Sequence, residues 1–145
     1  MTPPLISIIT PAYNVERYLA QTAASIRAQT HTHWRWIIVN DGSKDATLAL
    51  AQKIAAAEPR ITVIDKPNSG TADTRNLALA HLPADTAYVI FMDADDLFTP
   101  DALASLLAAA QQNPQHIGAH GIADYIDAGG NPLRPGEFAA FCRNR

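Results

Sequence analysis

The chain has 145 residues, of which 48% are hydrophobic and 17% charged, and its net charge is −3. This composition is that of a folded globular domain and excludes a disordered chain, while the single cysteine excludes an internal disulfide framework. The mild negative charge gives no general attraction for nucleic acid. The start lacks a secretory signal pattern, and the longest apolar run, residues 87–92, is far shorter than the ~20 residues that span a bilayer. We therefore expect no nucleic-acid partner and no transmembrane segment in this chain.

Strands and helices alternate along the chain. Short apolar runs rich in β-branched residues predict strands, and apolar residues spaced three and four apart predict helices. The predicted strands cover residues 5–10, 34–39, 61–64, 86–92 and 117–125, and the predicted helices cover residues 15–28, 45–57, 71–81 and 100–112. Asn14 and Thr99 are the predicted N-caps of the first and fourth helices, and residues 127–131 predict a turn.

The order and composition of these elements predict the fold class. Continuous apolar strands that alternate with helices favour an α/β fold, in which a mostly parallel sheet carries helices on both faces. In such folds the carboxyl ends of the strands form one rim, where ligands bind. Polar clusters follow the first four predicted strands, at residues 11–14, 41–43, 68–75 and 93–96. We therefore expect these clusters to form one binding site.

Three carboxylates stand together after the fourth predicted strand, at Asp93, Asp95 and Asp96. Like charges at this spacing raise each other's pKa unless a cation neutralises them. Mg²⁺ or Mn²⁺ takes carboxylate oxygens and leaves positions open for substrate phosphates. The alternation of an extended chain sends Asp93 and Asp95 to one side and Asp96 to the other. A solvated turn in which Asp95 or Asp96 caps the next helix is the alternative.

Two further clusters contain residue types that bind nucleotides. Asp41 begins an Asp-Gly-Ser turn, where its carboxylate can accept a hydrogen bond from a base N–H or a ribose hydroxyl. Gly70 opens the third predicted helix, whose N-terminal N–H groups favour an anion, and Arg75 can add a bidentate contact. The alternatives are turn chemistry alone for Asp41 and an ion pair of Arg75 with Asp73 or another carboxylate.

Other kinds of site find little support in the sequence. The pairs His31/His33 and His116/His120 have no third metal ligand nearby and are typical of solvent-facing loops. Cys142 lies outside any pattern of a reactive thiol. The G-x-G-x-x-G, P-loop and G-x-S-x-G patterns do not occur where a dinucleotide oxidoreductase, a P-loop NTPase or an α/β-hydrolase needs them.

Four blocks of sequence carry a family likeness when they are taken in order. They are residues 7–14, residues 36–45, residues 68–76 with Asn68-Ser69-Gly70 and Arg75-Asn76, and residues 91–96. In order and spacing these blocks resemble the family 2 glycosyltransferases of GT-A fold, from about residue 5 to residue 112 and, in outline, to residue 130. One departure is Asn40, where family members often carry a second Asp.

The resemblance implies a binding site for a nucleotide-sugar donor. Thr10, Pro11 and Tyr13 would line the nucleobase pocket, with Tyr13 against the base. Asp41 would bind the base, most often uracil, which implies a UDP-sugar. Arg75 would contact the base or the diphosphate.

The resemblance also implies a metal-dependent, inverting transfer. Asp93 would lie near the ribose and the metal, and Asp95 would coordinate the Mg²⁺ or Mn²⁺ that bridges the donor diphosphate. A general base would deprotonate the acceptor hydroxyl. Asp124, Asp127 and Glu137 are the acidic candidates that follow, but none stands in a matching context, so the base is expected beyond Arg145.

The length of the chain leads to the expected domain organisation. A nucleotide-sugar-binding GT-A domain, itself partial, would cover residues 1–130, and residues 131–145 would be a tail or the start of a missing acceptor-binding region. The acceptor would be a saccharide or a lipid-linked sugar, in cell-envelope or polysaccharide biosynthesis. We expect a cytoplasmic protein. Location at the inner face of the membrane and formation of a homo-oligomer are left open.

Two other functions are weighed against this one. The first is a truncated donor-binding module that holds a nucleotide sugar without transferring it. The second is a Mg²⁺-dependent phosphotransferase or phosphatase of similar α/β fold, although many of those place the key Asp after the first strand, where this chain has Thr10-Pro11.

Overall fold

The computed structural model of the chain describes residues 2–133. Its elements in chain order are β1 (Leu5–Ala12), α1 (Leu19–Arg27), β2 (Trp34–Asp41), α2 (Thr47–Ala56), β3 (Ile61–Lys66), α3 (Thr71–Leu79), β4 (Thr86–Phe91) and α4 (Ala102–Gln111). The chain divides into two compact units between Ser105 and Leu106, and the first unit holds all four strands. Glu137, Cys142 and most of the predicted tail lie outside the described residues.

The four strands form one parallel sheet in the order β3-β2-β1-β4. The pairing of β1 with β2 sets Ile9 opposite Ile37 and Pro11 opposite Val39. Since all four strands run in the same direction, their carboxyl ends lie at one edge. The predicted α/β fold with a parallel sheet is therefore confirmed.

Helices cover both faces of this sheet. On one face α3 contacts β1 and β2, and its Ala78 packs into a buried cluster with Ile9, Ile37 and Val39. The alternate strand residues point to the other face, where the indole N–H of Trp36 donates to Thr10 Oγ1 at 2.8 Å. There α1 contacts α2, which in turn contacts β2 and β3. Because side chains alternate between the two faces of the sheet, the strands contribute to an apolar layer on each face.

β4 differs from the continuously buried strand that its apolar sequence predicts. Its residues alternate between partly buried and exposed positions, and Val89 and Phe91 keep 38% and 48% of their surface exposed. Within residues 2–133 this strand pairs with β1 alone, so it forms an edge of the sheet. One face of β4 is therefore open in the described structure, which an apolar run alone does not reveal.

Two predicted helix starts are wrong by a few residues. α1 begins at Leu19, and Asn14 is not its N-cap, because Asn14 adopts a left-handed backbone with φ 53° and its side chain accepts no N–H of that helix. Its side-chain oxygen instead accepts the backbone N–H of Lys44 at 2.8 Å. α4 begins at Ala102, and Thr99 lies ahead of it in the preceding turn, where its carbonyl accepts the N–H of Ala102 at 3.0 Å.

The second unit contains less regular structure than the sequence predicts. Residues 117–125 form no strand, and Ile117 and Ile122 are fully exposed, so their apolar side chains find no surface to pack against within the described residues. The predicted turn at residues 127–131 is present, with the N–H of Gly130 donating to the carbonyl of Asp127 at 2.9 Å. In the described part of the chain, no helix combines the length and apolarity that crossing a bilayer requires.

Gly42 provides a test of how closely the loops at the strand ends pack. Its φ is +69°, and a Cβ atom at this position would lie 2.7 Å from the backbone nitrogen of Asn68. We expect Gly42→Ala to lower the free energy of unfolding by about 2 kcal/mol or more, from backbone strain and the clash together. Urea unfolding followed by circular dichroism measures this change.

Gly118→Ala is the matched control for this substitution, because a Cβ at Gly118 meets nothing within 4 Å. Its free energy of unfolding should stay within about 0.5 kcal/mol of the unsubstituted protein. Equal stability of both variants would contradict the close approach of the two loops.

Candidate functional site

A cleft of about 240 Å³ opens at the carboxyl ends of β1 and β2. The start of α3 and the residues that follow β4 complete it. Its lining consists of Pro11, Ala12, Tyr13, Val15, Asp41, Thr71, Arg75, Asp93, Ala94 and Asp95. Parallel pairing brings these residues together from four separate stretches of the chain. Six residues that the sequence predicts for a nucleotide and metal site meet here, namely Pro11, Tyr13, Asp41, Arg75, Asp93 and Asp95.

Thr10 is the predicted pocket residue that does not line this cleft. Its side chain is fully buried and accepts the indole N–H of Trp36 at 2.8 Å. The reason is strand alternation, because Thr10 points to the same face as Ile8 while Pro11 follows on the opposite side. Thr10 therefore supports the strand from beneath and does not contribute to the lining of this cleft.

Asp41 joins the end of β2 to the start of α3. Its carboxylate accepts the backbone N–H of Ser69 at 2.9 Å and that of Gly70 at 3.0 Å, and it forms an ion pair with Lys66. Asn68 completes the junction by donating its side-chain N–H to the Asp41 carbonyl at 2.9 Å. The contacts of Asp41 extend beyond its own turn, because its partners lie 25 to 29 residues further along the chain.

The environment of Asp41 favours its ionised form. Burial raises the pKa of the carboxyl, but the hydrogen bonds from Lys66, Ser69 and Gly70 outweigh burial and hold the pKa below its ordinary value. The carboxylate also lies at the N-terminus of α3, where the helix dipole favours a negative charge. Asp41 thus reaches the cleft as an acceptor of hydrogen bonds.

The acidic loop after β4 presents two carboxylates to the cleft and one away from it. Asp93 and Asp95 line the cleft, whereas Asp96 does not, as strand alternation predicts. Desolvation and the charges of Asp95 and Asp93 raise the pKa of Asp96. The loop is therefore a region of negative potential that a cation would stabilise.

Arg75 holds one of these carboxylates. Its guanidinium forms an ion pair with Asp93 at 2.9 Å and lies 5.5 Å from the centre of the Phe91 ring. The predicted alternative of an ion pair with a neighbouring carboxylate is thus present, with Asp93 and not Asp73 as the partner. The Arg75 Nε atom is buried and has no hydrogen-bond partner among the described residues. Arg75 brings a positive charge to the cleft from the first turns of α3.

The donor set suits a hard divalent cation that is shared with a ligand. Among residues 2–133 no group of three or more His, Cys, Asp or Glu side chains could enclose a metal ion. Mg²⁺ is commonly held by one or two carboxylates together with substrate phosphates. Asp93 and Asp95 supply that number of carboxylates at the cleft, so the residues fit such an ion in the presence of a phosphate ligand.

The helix α1 holds the acidic loop in place, a role that the sequence does not reveal. Thr22 Oγ1 donates to the carbonyls of Ala94 and Asp96 at 2.8 and 3.0 Å. One turn further along, Ser25 Oγ accepts the N–H of Phe98 at 3.2 Å. The buried Gln29 continues this row, with its side-chain N–H on the Thr99 carbonyl at 2.7 Å. The only sequence signal is a polar row at positions 22, 25 and 29, which begins on the otherwise apolar face of α1 and continues just past its end.

The loops after β1 and β2 also hold each other through reciprocal hydrogen bonds. The N–H of Asn14 donates to Ser43 Oγ at 3.0 Å, and the N–H of Val15 donates to Thr47 Oγ1 at 2.8 Å. In the opposite direction, Glu16 accepts the N–H of Ala46 at 2.7 Å. These bonds fix the chain directly after Tyr13, which lines the cleft and is 47% exposed.

Other predicted residues have structural partners. His31 Nε2 lies within 3.1 Å of the Pro4 carbonyl, so this histidine ties the N-terminal segment to the sheet and does not simply face solvent. In the second unit, Asp127 accepts the N–H groups of Asn131 and Gly129, which hold its pKa below the ordinary value. Asp127 thus stabilises a turn. Asp124 is exposed.

Comparisons of the chain with family models and with curated proteins agree on one family. Residues 7–142 match the family model described as Glycosyl transferase family 2. TuaG, a glycosyltransferase assigned to teichuronic acid biosynthesis in Bacillus subtilis (strain 168), is 43% identical over 101 residues, which are 69% of this chain and 39% of TuaG. An uncharacterized glycosyltransferase of Haemophilus influenzae is 34% identical over 135 residues, which are 92% of this chain and 53% of that protein. The chain spans about half or less of the length of these curated relatives.

Solved structures show the same fold. The crystal structure of S. aureus TarS 1-349 in complex with UDP-GlcNAc superposes with a TM-score of 0.64 at 30% sequence identity. The match covers 72% of this chain and 30% of the TarS chain.

Thr22 tests whether α1 positions the acidic loop. We expect Thr22→Val, which keeps the shape and removes the hydroxyl, to lower the free energy of unfolding by about 1–2 kcal/mol, because two loop carbonyls lose their donor. Thermal and urea unfolding measure the change. Thr62→Val, at an exposed position of β3, is the control and should stay within about 0.5 kcal/mol. The same small change in both variants would show that the Thr22 contacts do not support the loop.

Proposed function

Because the chain belongs to glycosyl transferase family 2, we propose that it forms the donor-binding part of an enzyme that transfers a sugar from a nucleoside diphosphate to an acceptor hydroxyl. The observation that carries this proposal is the cleft itself. One rim of a parallel sheet combines an exposed aromatic ring, an acceptor carboxylate, a guanidinium and a pair of carboxylates. A nucleotide sugar needs a group for its base, a positive charge for its diphosphate and a site for a shared cation.

A UDP-sugar is the proposed donor. Tyr13 offers an exposed ring on which a base can stack, and Asp41 offers an acceptor for a base N–H. Arg75 is the cationic side chain that faces the diphosphate in this proposal. The likeness to TarS, which was crystallised with UDP-GlcNAc, supports a uridine nucleotide. Pro11 would form the wall beside the base, and Thr10 would act only through the strand.

We assign the metal contact to Asp95, with Asp93 shared between the metal and the ribose. A bound Mg²⁺ or Mn²⁺ would supply Lewis-acid stabilisation of the departing nucleoside diphosphate. Asp93 would exchange its partner Arg75 for the ligand, which frees the guanidinium to meet the diphosphate. The acidic loop stays fixed during this exchange because Thr22 holds the carbonyls on both sides of Asp95.

The proposed reaction is a single displacement with inversion. The acceptor oxygen forms a bond to the anomeric carbon as the bond from that carbon to the diphosphate oxygen breaks. The proton of the acceptor hydroxyl passes to a general base. We assign this role to no described residue, since Asp127 serves a turn and Asp124 lies outside the cleft lining.

The biological setting is proposed from the relatives. TuaG is named for teichuronic acid biosynthesis, which supports a role in cell-envelope polysaccharide synthesis with a saccharide or lipid-linked acceptor. Cytoplasmic location and homo-oligomerisation stay predictions.

Because the chain spans 39% and 53% of two relatives, a donor-binding module without transfer activity is the second candidate. Assays of donor hydrolysis and transfer separate the two, since turnover by the 145-residue chain rejects the module.

Metal-dependent nucleotide binding tests the proposed function. We expect isothermal titration of the chain with UDP to give an affinity at least about tenfold higher in Mn²⁺ than in EDTA, because the cation links the carboxylates to the diphosphate. Absence of binding to UDP, GDP and CDP in Mn²⁺ would contradict the proposal.

A pair of neighbouring variants locates the metal contact in the same experiment. Asp95→Asn should remove the gain from Mn²⁺, whereas Asp96→Asn, whose side chain lies outside the cleft, should keep it. An unchanged gain in Asp95→Asn would remove this residue from the metal site.

A further inference from the structure

Lys66 and Asp41 form a nearly buried ion pair beside the cleft. They are register partners at the carboxyl ends of β3 and β2, and the exposed fractions of their side chains are 13% and 6%. Lys66 Nζ donates to Asp41 Oδ1 and also to the carbonyl of Pro67 at 2.9 Å. The ammonium group is therefore held from both sides and has little freedom to leave the carboxylate.

The carboxylate of Asp41 has one acceptor position left for a ligand. A carboxylate offers about four positions on its two oxygens. Among the described residues, Oδ1 takes Lys66 and the N–H of Ser69, and Oδ2 takes the N–H of Gly70. The remaining position is on Oδ2, and Asp41 contributes to the cleft lining. A ligand in the cleft can thus satisfy Asp41 with a single donor.

Lys66 determines whether that position accepts or donates. A buried carboxyl group without a counter-charge tends to take up a proton, and it would then donate a hydrogen bond. The two backbone N–H groups on Asp41 carry no net charge, whereas Lys66 carries a full positive charge at hydrogen-bond distance. Lys66 therefore keeps Asp41 an acceptor.

We infer that Lys66 is a positioning residue that makes the cleft selective for a nucleobase with a ring N–H. The inference rests on the proposed function, because it takes the cleft as a nucleotide site. Uracil and guanine carry a ring N–H that can donate to an acceptor-only carboxylate. The corresponding ring nitrogens of cytosine and adenine are acceptors and would face the carboxylate with the same polarity.

Replacement of the ring N–H hydrogen of the base by a methyl group tests this inference. The probes are UDP and its N3-methyl derivative, which lacks the ring N–H, and their affinities are measured by titration in Mn²⁺. The wild-type chain should bind N3-methyl-UDP at least about tenfold more weakly. In Lys66→Met the difference should shrink to within about threefold. The added methyl group is the same for both proteins, so the comparison isolates the contribution of the N–H.

Three further variants make the result interpretable. Lys66→Arg keeps the positive charge and should keep the discrimination, and Lys53→Met, which removes an exposed lysine of α2, should do the same. Circular dichroism establishes that each variant is folded. If Lys66→Met does not fold, Lys66→Gln, which removes the positive charge and keeps a polar side chain beside Asp41, takes its place and should show the same small difference between the probes.

The outcomes separate this inference from the proposed function. A folded Lys66→Met protein, or Lys66→Gln in its place, that still discriminates tenfold overturns the inference and leaves the donor site intact. A wild-type chain that binds both probes equally also overturns it. A wild-type chain that binds neither probe in Mn²⁺ overturns the proposed function as well.

Discussion

One buried carboxylate joins the elements that face the cleft. Asp41 ends β2, binds Lys66 of β3 and accepts the N–H groups of Ser69 and Gly70 ahead of α3. α3 has no side-chain cap of its own, so Asp41 supplies negative charge and acceptors at its N-terminus. The position of Arg75 in the cleft depends on this junction, because Arg75 lies in the second turn of the same helix.

The cleft combines opposite charges that pair with each other. On one side the charge of Asp41 is balanced by Lys66, and on the other Asp93 is paired with Arg75. The first pair is nearly buried, and breaking such a pair is costly. The second is substantially exposed, and exposed pairs are worth about 0–1 kcal/mol. A ligand with a diphosphate and a cation can therefore replace the Arg75–Asp93 pair cheaply while the Asp41 junction stays intact.

Parallel pairing is the reason that much of the site could be predicted from sequence. Apolar runs indicate β1 to β4, and strands of one direction bring Tyr13, Asp41 and Asp93 to one rim. The buried orientation of the Thr10 side chain follows from the alternation of side chains along β1, which a motif match does not take into account. The contact of Thr22 with Ala94 spans 72 residues, and a polar residue on a helix face gives no local sign of its partner. The predicted start of α1 is too early, because Asn14 makes a loop contact and does not cap the helix.

The central claim is that the four strand ends form one nucleotide site. Backbone amide chemical shifts of the ¹⁵N-labelled chain, recorded during titration with UDP and Mg²⁺, test it most directly. The account predicts that the largest shifts lie at residues 12–15, 41–43, 69–75 and 93–95, and that all four segments shift with one dissociation constant. Shifts confined to one segment, shifts centred on residues 106–133, or no shifts at all would contradict it.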